Sequence, residues 1–121
     1  MPPVNQPLDA PPLAFLQEKA HRMRRHMLAM ARRLGQGYIG QGLGVADMLA
    51  ALYFYELRYD PANPGWTGRD RFVLSTGHYS IALWATFAEA GMIPVEELAT
   101  YGADESRLEM GTLDTDRKSV V

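Results

Sequence analysis

The sequence predicts an α/β fold that is mostly helical over the length present, with one core strand near residues 71–75. Several segments have apolar residues at steps of three and four, which is the period of an amphipathic helix. The run Phe72-Val73-Leu74 is short, apolar and bounded by charges and by Ser75-Thr76-Gly77, as in a buried strand. His78 follows and opens a helical pattern. Because open α/β sheets place ligands where a strand runs into a helix, this turn is the candidate site.

The first element is a long helix that follows a proline-rich start. Residues 1–12 contain five of the eight prolines, and we expect them to be a flexible lead-in. From Leu13 to Gly35 the apolar residues share one helix face, which places Met27 and Met30 in the core and not in a cofactor or metal site. The other face carries six lysines and arginines against one glutamate. We interpret it as a solvated face that pairs with acidic elements of this or a partner chain, since no nucleic-acid motif accompanies it.

A glycine-rich segment follows this helix. Residues 35–44 contain five glycines, and Tyr38, Ile39 and Leu43 give the segment side chains that a solvated linker does not need. Glycine is used where the backbone turns sharply or approaches a ligand closely. The segment lacks the Gly-Lys-Ser/Thr of a Walker loop and does not follow a strand, as a dinucleotide fingerprint would. We therefore predict a loop up to Gly44 whose backbone turns sharply or approaches a ligand, and not a flexible linker.

Three more helices are predicted, each ended by glycine or by turn-forming residues. They cover about residues 45–57, 78–90 and 94–101. The turn formers of 59–65 separate the first of them from the strand, and residues from Ala103 onward are expected to form a loop.

Composition limits the classes of protein that fit. A chain of 121 residues with 47% hydrophobic and 21% charged residues suits one small globular domain. The absence of cysteine excludes disulfide frameworks and thiolate metal sites, and makes a cytoplasmic location the default expectation. No apolar run has the length needed to span a bilayer. His21, His26 and His78 lack the spacing of a metal site, so we expect no metal ligands in this chain.

Two motifs carry a resemblance to a known family. Residues 60–66 read Asp-Pro-Ala-Asn-Pro-Gly-Trp, and residues 69–78 read Arg-Asp-Arg-Phe-Val-Leu-Ser-Thr-Gly-His. With the glycine-rich segment and the helix that contains 46–54, they resemble the start of the thiamine-diphosphate-binding domain of transketolases. That domain has Asp-Pro-x-Asn-Pro-x-Trp followed by Arg-Asp-Arg-Phe-Val-Leu-Ser-x-Gly-His. The resemblance extends from residue 15 to about residue 115.

The resemblance implies a fold, a reaction and a set of site residues. The fold would be the opening portion of a parallel-sheet thiamine-diphosphate-binding domain, and the reaction a two-carbon ketol transfer between sugar phosphates. The cofactors would be thiamine diphosphate, which carries the difficult chemistry, and Mg²⁺ or Ca²⁺. His78 would act in catalysis and cofactor binding, Tyr38 in catalysis, and Gly37, Ser75 and Gly77 in cofactor binding.

The resemblance also implies partners. The substrate would be a sugar phosphate or a related ketose, and no nucleic acid or membrane is expected to bind. The glutamate that activates the cofactor belongs to a pyrimidine domain, which would come from a partner or second subunit. The intact parent would then be a homodimer or a split heterotetramer.

Two segments depart from the family pattern. Tyr38-Ile39 stands where the family usually has His-Pro, and Met110-Gly111-Thr112 replaces a Gly-His-Pro segment that follows Ser106-Arg107. A phenol donates a hydrogen bond to a substrate hydroxyl but shuttles protons poorly near neutral pH. We therefore expect a transketolase-like enzyme whose donor or acceptor differs from that of the pentose-phosphate enzyme.

The family domain continues beyond the residues that match. Its Gly-Asp-Gly metal-binding segment has no counterpart here, so we expect residues 13–115 to be the N-terminal part of the domain and to be inactive alone. Residues 116–121 match the translation of GATCGGAAGAGCGTCGTG, a common sequencing-adapter sequence, and are expected to be a non-native tail.

Two alternatives remain open. In the first, the chain is a non-catalytic helical module that docks onto a partner through its basic helix. In the second, it is a fragment of another thiamine-dependent enzyme, such as a deoxyxylulose-phosphate synthase.

Overall fold

The computed structural model of the chain describes residues 12–110, and three α-helices carry most of its regular structure. The helices are α1 (Leu13–Leu34), α2 (Ile39–Ala51) and α3 (Ser80–Glu89). A π-helical turn at Leu52–Glu56 continues α2, and 3-10 helices cover Gly77–Tyr79 and Val95–Thr100. Apart from Pro12, the predicted lead-in lies outside the described residues, and so does the predicted tail at 116–121.

The ends of α1 are those that the apolar spacing predicts. Gly35 terminates the helix at a φ of 85°, a left-handed conformation that glycine adopts without a Cβ clash. Its N–H donates to the carbonyl of Ala31 at 2.8 Å. Met27 and Met30 are buried, so their predicted place in the core is confirmed.

The core lies where the three helices meet, and α3 is the element at its centre. Every residue from Ser80 to Ala88 is buried, which is the pattern of a helix covered on all sides. α1 supplies a row of methionines and α2 supplies small residues. The largest side chains that are almost wholly buried include Met23, Met27, Tyr53, Ile81, Leu83 and Leu108.

The prediction that residues 35–44 form a loop is wrong for the residues after Tyr38, because α2 already begins at Ile39. The reason lies in the packing of Gly42, which is buried against α1 and α3. A Cβ added to Gly42 would lie 2.8 Å from Ile81 Cγ2 and 2.8 Å from Met27 Sδ. Gly42 therefore allows the three helices to approach closely and does not turn the chain. The helix predicted to start at Val45 thus starts six residues earlier.

The predicted strand at 71–75 does not form. Residues 71–76 have no regular secondary structure, although Leu74 is buried, Phe72 is partly buried and Val73 is 58% exposed. This alternation is that of a strand with one face on a core. A strand also needs a neighbour to pair its N–H and C=O groups, and residues 12–110 contain no second strand. The mostly helical character of the chain is confirmed, whereas the described part of the chain contains no sheet.

The loop between α2 and the 71–76 segment is closed at its base. Arg58 N–H donates to Asp70 Oδ2 at 2.8 Å, and Asp70 N–H donates to the carbonyl of Arg58 at 2.7 Å. Within the loop, Asp60 Oδ1 accepts from the N–H of Ala62, as in an Asx turn. The turn predicted for 59–65 is confirmed, and it fixes where the chain enters the 71–76 segment.

Part of the basic face of α1 is paired within the chain. Lys19 Nζ and His26 Nε2 each lie 3.1 Å from the Glu89 carboxylate at the end of α3, and Arg22 lies 3.6 Å from it. Arg24 pairs with Asp47 of α2 at 3.1 Å. The predicted pairing with acidic elements of the same chain is therefore confirmed for this part of the face.

Candidate functional site

The centre of the candidate site is the imidazole of His78, which two tyrosine rings flank. His78 lies in the 3-10 helix that leads into α3, as the sequence predicts. Its ring centroid is 5.4 Å from that of Tyr38, at an interplanar angle of 61°, and 5.1 Å from that of Tyr79. Both distances are those of attractive aromatic pairs. The imidazole therefore packs against both phenol rings.

The flanked imidazole reaches the surface. Tyr38 is 45% exposed, and His78 is exposed as well. An imidazole and a phenol together offer N–H and O–H donors to an anionic or hydroxylated ligand. The structure thus brings the two predicted catalytic residues together, although they are forty positions apart in the sequence.

The backbone conformation of Gly37 directs the chain into Tyr38 and the start of α2. It has a φ of 154°, a region that favours glycine, and the chain then enters α2 at Ile39. A Cβ added there would lie 3.6 Å from Ile81 and 3.8 Å from the hydroxyl of Tyr101. Gly37 is therefore a packed position immediately before Tyr38 in the chain.

Ser75 and Gly77 precede His78 at the end of the unpaired segment. Ser75 is exposed and Gly77 is partly buried at the start of the 3-10 helix. Their predicted part in cofactor binding stays a prediction, as do the predicted roles of Gly37, Tyr38 and His78.

The phenol of Tyr101 is buried close to Gly37, the neighbour of Tyr38. Burial raises the pKa of Tyr101; the nearby hydroxyl of Ser80 opposes this rise, and the Tyr38 phenol adds to it. The Tyr101 phenol therefore lies near both the glycine-rich turn and the first residue of α3.

Four residues near the site escaped the sequence analysis, namely Tyr79, Ser80, Trp84 and Tyr101. The sequence contains a signal for Tyr79, because an aromatic residue adjacent in sequence to a candidate histidine can pack against its imidazole. Ser80 and Trp84 had a weaker one. They lie four residues apart, hence on one helix face, and both carry a donor that needs a partner when buried.

Residues 12–110 do not by themselves form a metal centre. No group of three His, Asp or Glu side chains within this range is placed to hold a metal ion. None of the helices within residues 12–110 combines the length and the apolar character needed to cross a membrane.

Comparison with known proteins identifies the family. Residues 17–109 match the model of the transketolase thiamine diphosphate binding domain. A transketolase family protein of Sinorhizobium fredii is 59% identical over 95 residues, which are 78% of this chain and 34% of that protein. The 6-deoxy-6-sulfo-D-fructose transketolase subunit SqwG of a Clostridium species is 46% identical over 85 residues, or 70% of this chain and 31% of SqwG.

Mouse transketolase is 36% identical over 90 residues, which are 74% of this chain and 14% of the mouse enzyme. The chain thus spans about a third of the length of the first two relatives and less of the mouse enzyme. Since the domain model covers most of the sequence, the chain belongs to the transketolase family and carries part of its thiamine diphosphate binding domain.

Proposed function

We propose that the chain forms part of the thiamine diphosphate site of an enzyme that transfers two-carbon ketol units between sugar phosphates. The observation that carries the proposal is the surface pair of Tyr38 and His78, which lies within the residues that match the thiamine diphosphate binding domain. The matched segment alone indicates the family. The pair adds donors at one place on the surface.

The side chains at this place fit an anionic cofactor. Tyr38, Thr76 and His78 supply hydroxyl and imidazole groups, and none of them carries a negative charge that would repel a diphosphate. When bound, thiamine diphosphate supplies the nucleophilic carbon that cleaves the carbon–carbon bond of the donor ketose. In this proposal His78 donates a hydrogen bond to an anionic oxygen and moves a proton at its ring nitrogen. Tyr38 donates its phenolic hydrogen to a substrate hydroxyl.

The other parts of the site come from outside these residues in our proposal. Ligands beyond the 13–115 segment would hold Mg²⁺ or Ca²⁺. A partner or second subunit would supply the pyrimidine domain. The name of SqwG includes the word subunit, which supports a divided arrangement. On this account the chain alone has no ketol-transfer activity.

We further propose that the donor or acceptor differs from that of the pentose-phosphate enzyme, because Tyr38 stands where the family usually has histidine. SqwG, which is similar over 70% of this chain, is named for 6-deoxy-6-sulfo-D-fructose, and this supports a range of ketoses. Turnover of xylulose 5-phosphate by the assembled enzyme at rates ordinary for a transketolase would refute this part.

The test uses the assembled enzyme that contains this chain, with thiamine diphosphate, Mg²⁺ and a panel of ketose donors. We expect His78→Ala to lower kcat by about a hundredfold or more, the usual contribution of a positioned acid or base. His21→Ala is the matched control, because His21 is an exposed histidine on α1. If both variants keep wild-type kcat, the role proposed for His78 is wrong.

A further inference from the structure

Two buried side chains of α3 bind the backbone at the end of the described chain. The single hydroxyl hydrogen of Ser80 is shared between two carbonyl oxygens, because Ser80 Oγ lies 2.8 Å from that of Glu109 and 2.5 Å from that of Met110. Trp84 Nε1 donates to the same Glu109 carbonyl at 2.9 Å. Both donors belong to buried residues, with Ser80 0% and Trp84 6% exposed. A buried donor without an acceptor is costly, so these contacts fix one placement of the 109–110 backbone.

The residues before this point form a closed loop, which we call the 102–110 loop. Gly102 N–H donates to the carbonyl of Leu108 at 2.8 Å, which joins the two ends of the loop. Leu108 is buried. Arg107 forms a bidentate ion pair with Glu97, with N···O distances of 2.6 and 2.8 Å. The loop is thus anchored to the Val95–Thr100 helix as well as to α3.

The 102–110 loop is also linked to both segments that carry the candidate site. Ser80 is the second residue after His78, so the bonds to Glu109 and Met110 start from the turn that holds the imidazole. On the other side, Tyr101 immediately precedes the loop and places its hydroxyl beside Gly37, the neighbour of Tyr38. The loop is therefore connected through Ser80 to the turn that carries His78, and it follows directly on Tyr101, which lies beside the segment that carries Tyr38.

We propose that Ser80 and Trp84 are positioning residues: by holding the 109–110 backbone against the first turns of α3, they make the 102–110 loop a fixed border of the site beside His78. What the site binds rests on the proposed function, whereas the contacts themselves do not. The geometry explains why a hydroxyl and an indole N–H are buried together at the start of this helix.

The first experiment measures proteolysis of the chain by a glutamate-specific protease. We expect Ser80→Ala and Trp84→Phe to speed cleavage after Glu109 by about fivefold, the factor for losing one hydrogen bond. Thr86→Val is the matched control, because Thr86 is equally buried in α3 but its hydroxyl donates to Ala82 of the same helix.

Cleavage after Glu56, an exposed residue at the end of the π-helical turn, is measured in the same reaction. Faster cleavage after Glu109 with unchanged cleavage after Glu56 supports the proposal. Equal rates after Glu109 in wild type and both variants would overturn it. So would a parallel increase at both sites, because the contacts would then serve the core as a whole and not the loop.

The second experiment separates the positioning role from the proposed function. In the assembled enzyme, Ser80→Ala and Trp84→Phe should raise KM for the donor ketose by about fivefold with kcat within about twofold, and Thr86→Val should change neither. An unchanged KM in both variants would overturn the positioning role. If the wild-type enzyme shows no ketol transfer, the proposed function fails, and the protease result still decides whether the bonds hold the loop.

Discussion

Replacing Gly42 by alanine tests whether close helix packing, and not loop flexibility, explains the glycines of α2. The new Cβ would lie 2.8 Å from Ile81 Cγ2 and 2.8 Å from Met27 Sδ, both in fully buried residues. Favourable carbon contacts lie near 3.5–4.0 Å, so the neighbours must move by roughly 1 Å. Overpacking of this kind costs about 1–3 kcal/mol, while alanine gains about 1 kcal/mol over glycine in a helix. The expected net loss of stability is about 1 kcal/mol.

Gly44→Ala in the same helix is the matched control. Nothing lies within 4 Å of a Cβ added at Gly44, so only the helix-propensity gain of about 1 kcal/mol applies. The two substitutions should therefore have opposite signs, and their difference isolates the overpacking cost. The assay is urea unfolding followed by circular dichroism, with the free energy of unfolding extrapolated to water. If Gly42→Ala stabilises the chain as much as Gly44→Ala does, the close approach of the three helices is refuted.

Two further predictions concern the core and the charge cluster. Met27→Ala should lower the free energy of unfolding by about 2–5 kcal/mol through cavity formation, whereas Met48→Ala, at a residue 54% exposed, should change it by less than about 0.5 kcal/mol; equal effects would contradict the assigned core. Burial acts to raise the pKa of Glu89, but the hydrogen bonds from Lys19 and His26 outweigh it and hold the pKa below the ordinary value of 4.5. The unfolded chain therefore binds the proton more readily, so this stabilisation is present above about pH 4.5 and is lost as pH falls through the lowered pKa. Urea unfolding across this range should show a flatter acid limb for Glu89→Gln than for the wild type, and parallel profiles would contradict the ion cluster.

The sequence predicts those elements whose cause is local. The limits of α1 follow from its apolar spacing and from Gly35, whose left-handed φ the structure shows. The helix at His78 follows from the pattern after the turn. The contact between Tyr38 and His78 is a different case. Only the family resemblance pointed to both residues, since neither spacing nor composition connects positions forty residues apart.

What the sequence could not predict depends on distant partners. A glycine that permits close packing looks the same as one that turns the chain, and Gly42 is understood only from Met27 and Ile81 opposite it. The alternation at Phe72, Val73 and Leu74 is strand-like, but pairing needs a second strand that residues 12–110 lack.

The bonds from α3 to the 109–110 backbone were missed for the same reason. Ser80 and Trp84 find their acceptors 25 to 30 residues further along the chain, where no local pattern marks them.

The most direct test of the central claim is a structure of the assembled enzyme with thiamine diphosphate bound. We expect a ring nitrogen of His78 within hydrogen-bonding distance, about 3 Å, of an oxygen of the cofactor or the bound sugar, with the Tyr38 ring still against the imidazole. A cofactor bound away from residues 75–78, with no ligand atom near His78, would contradict the account.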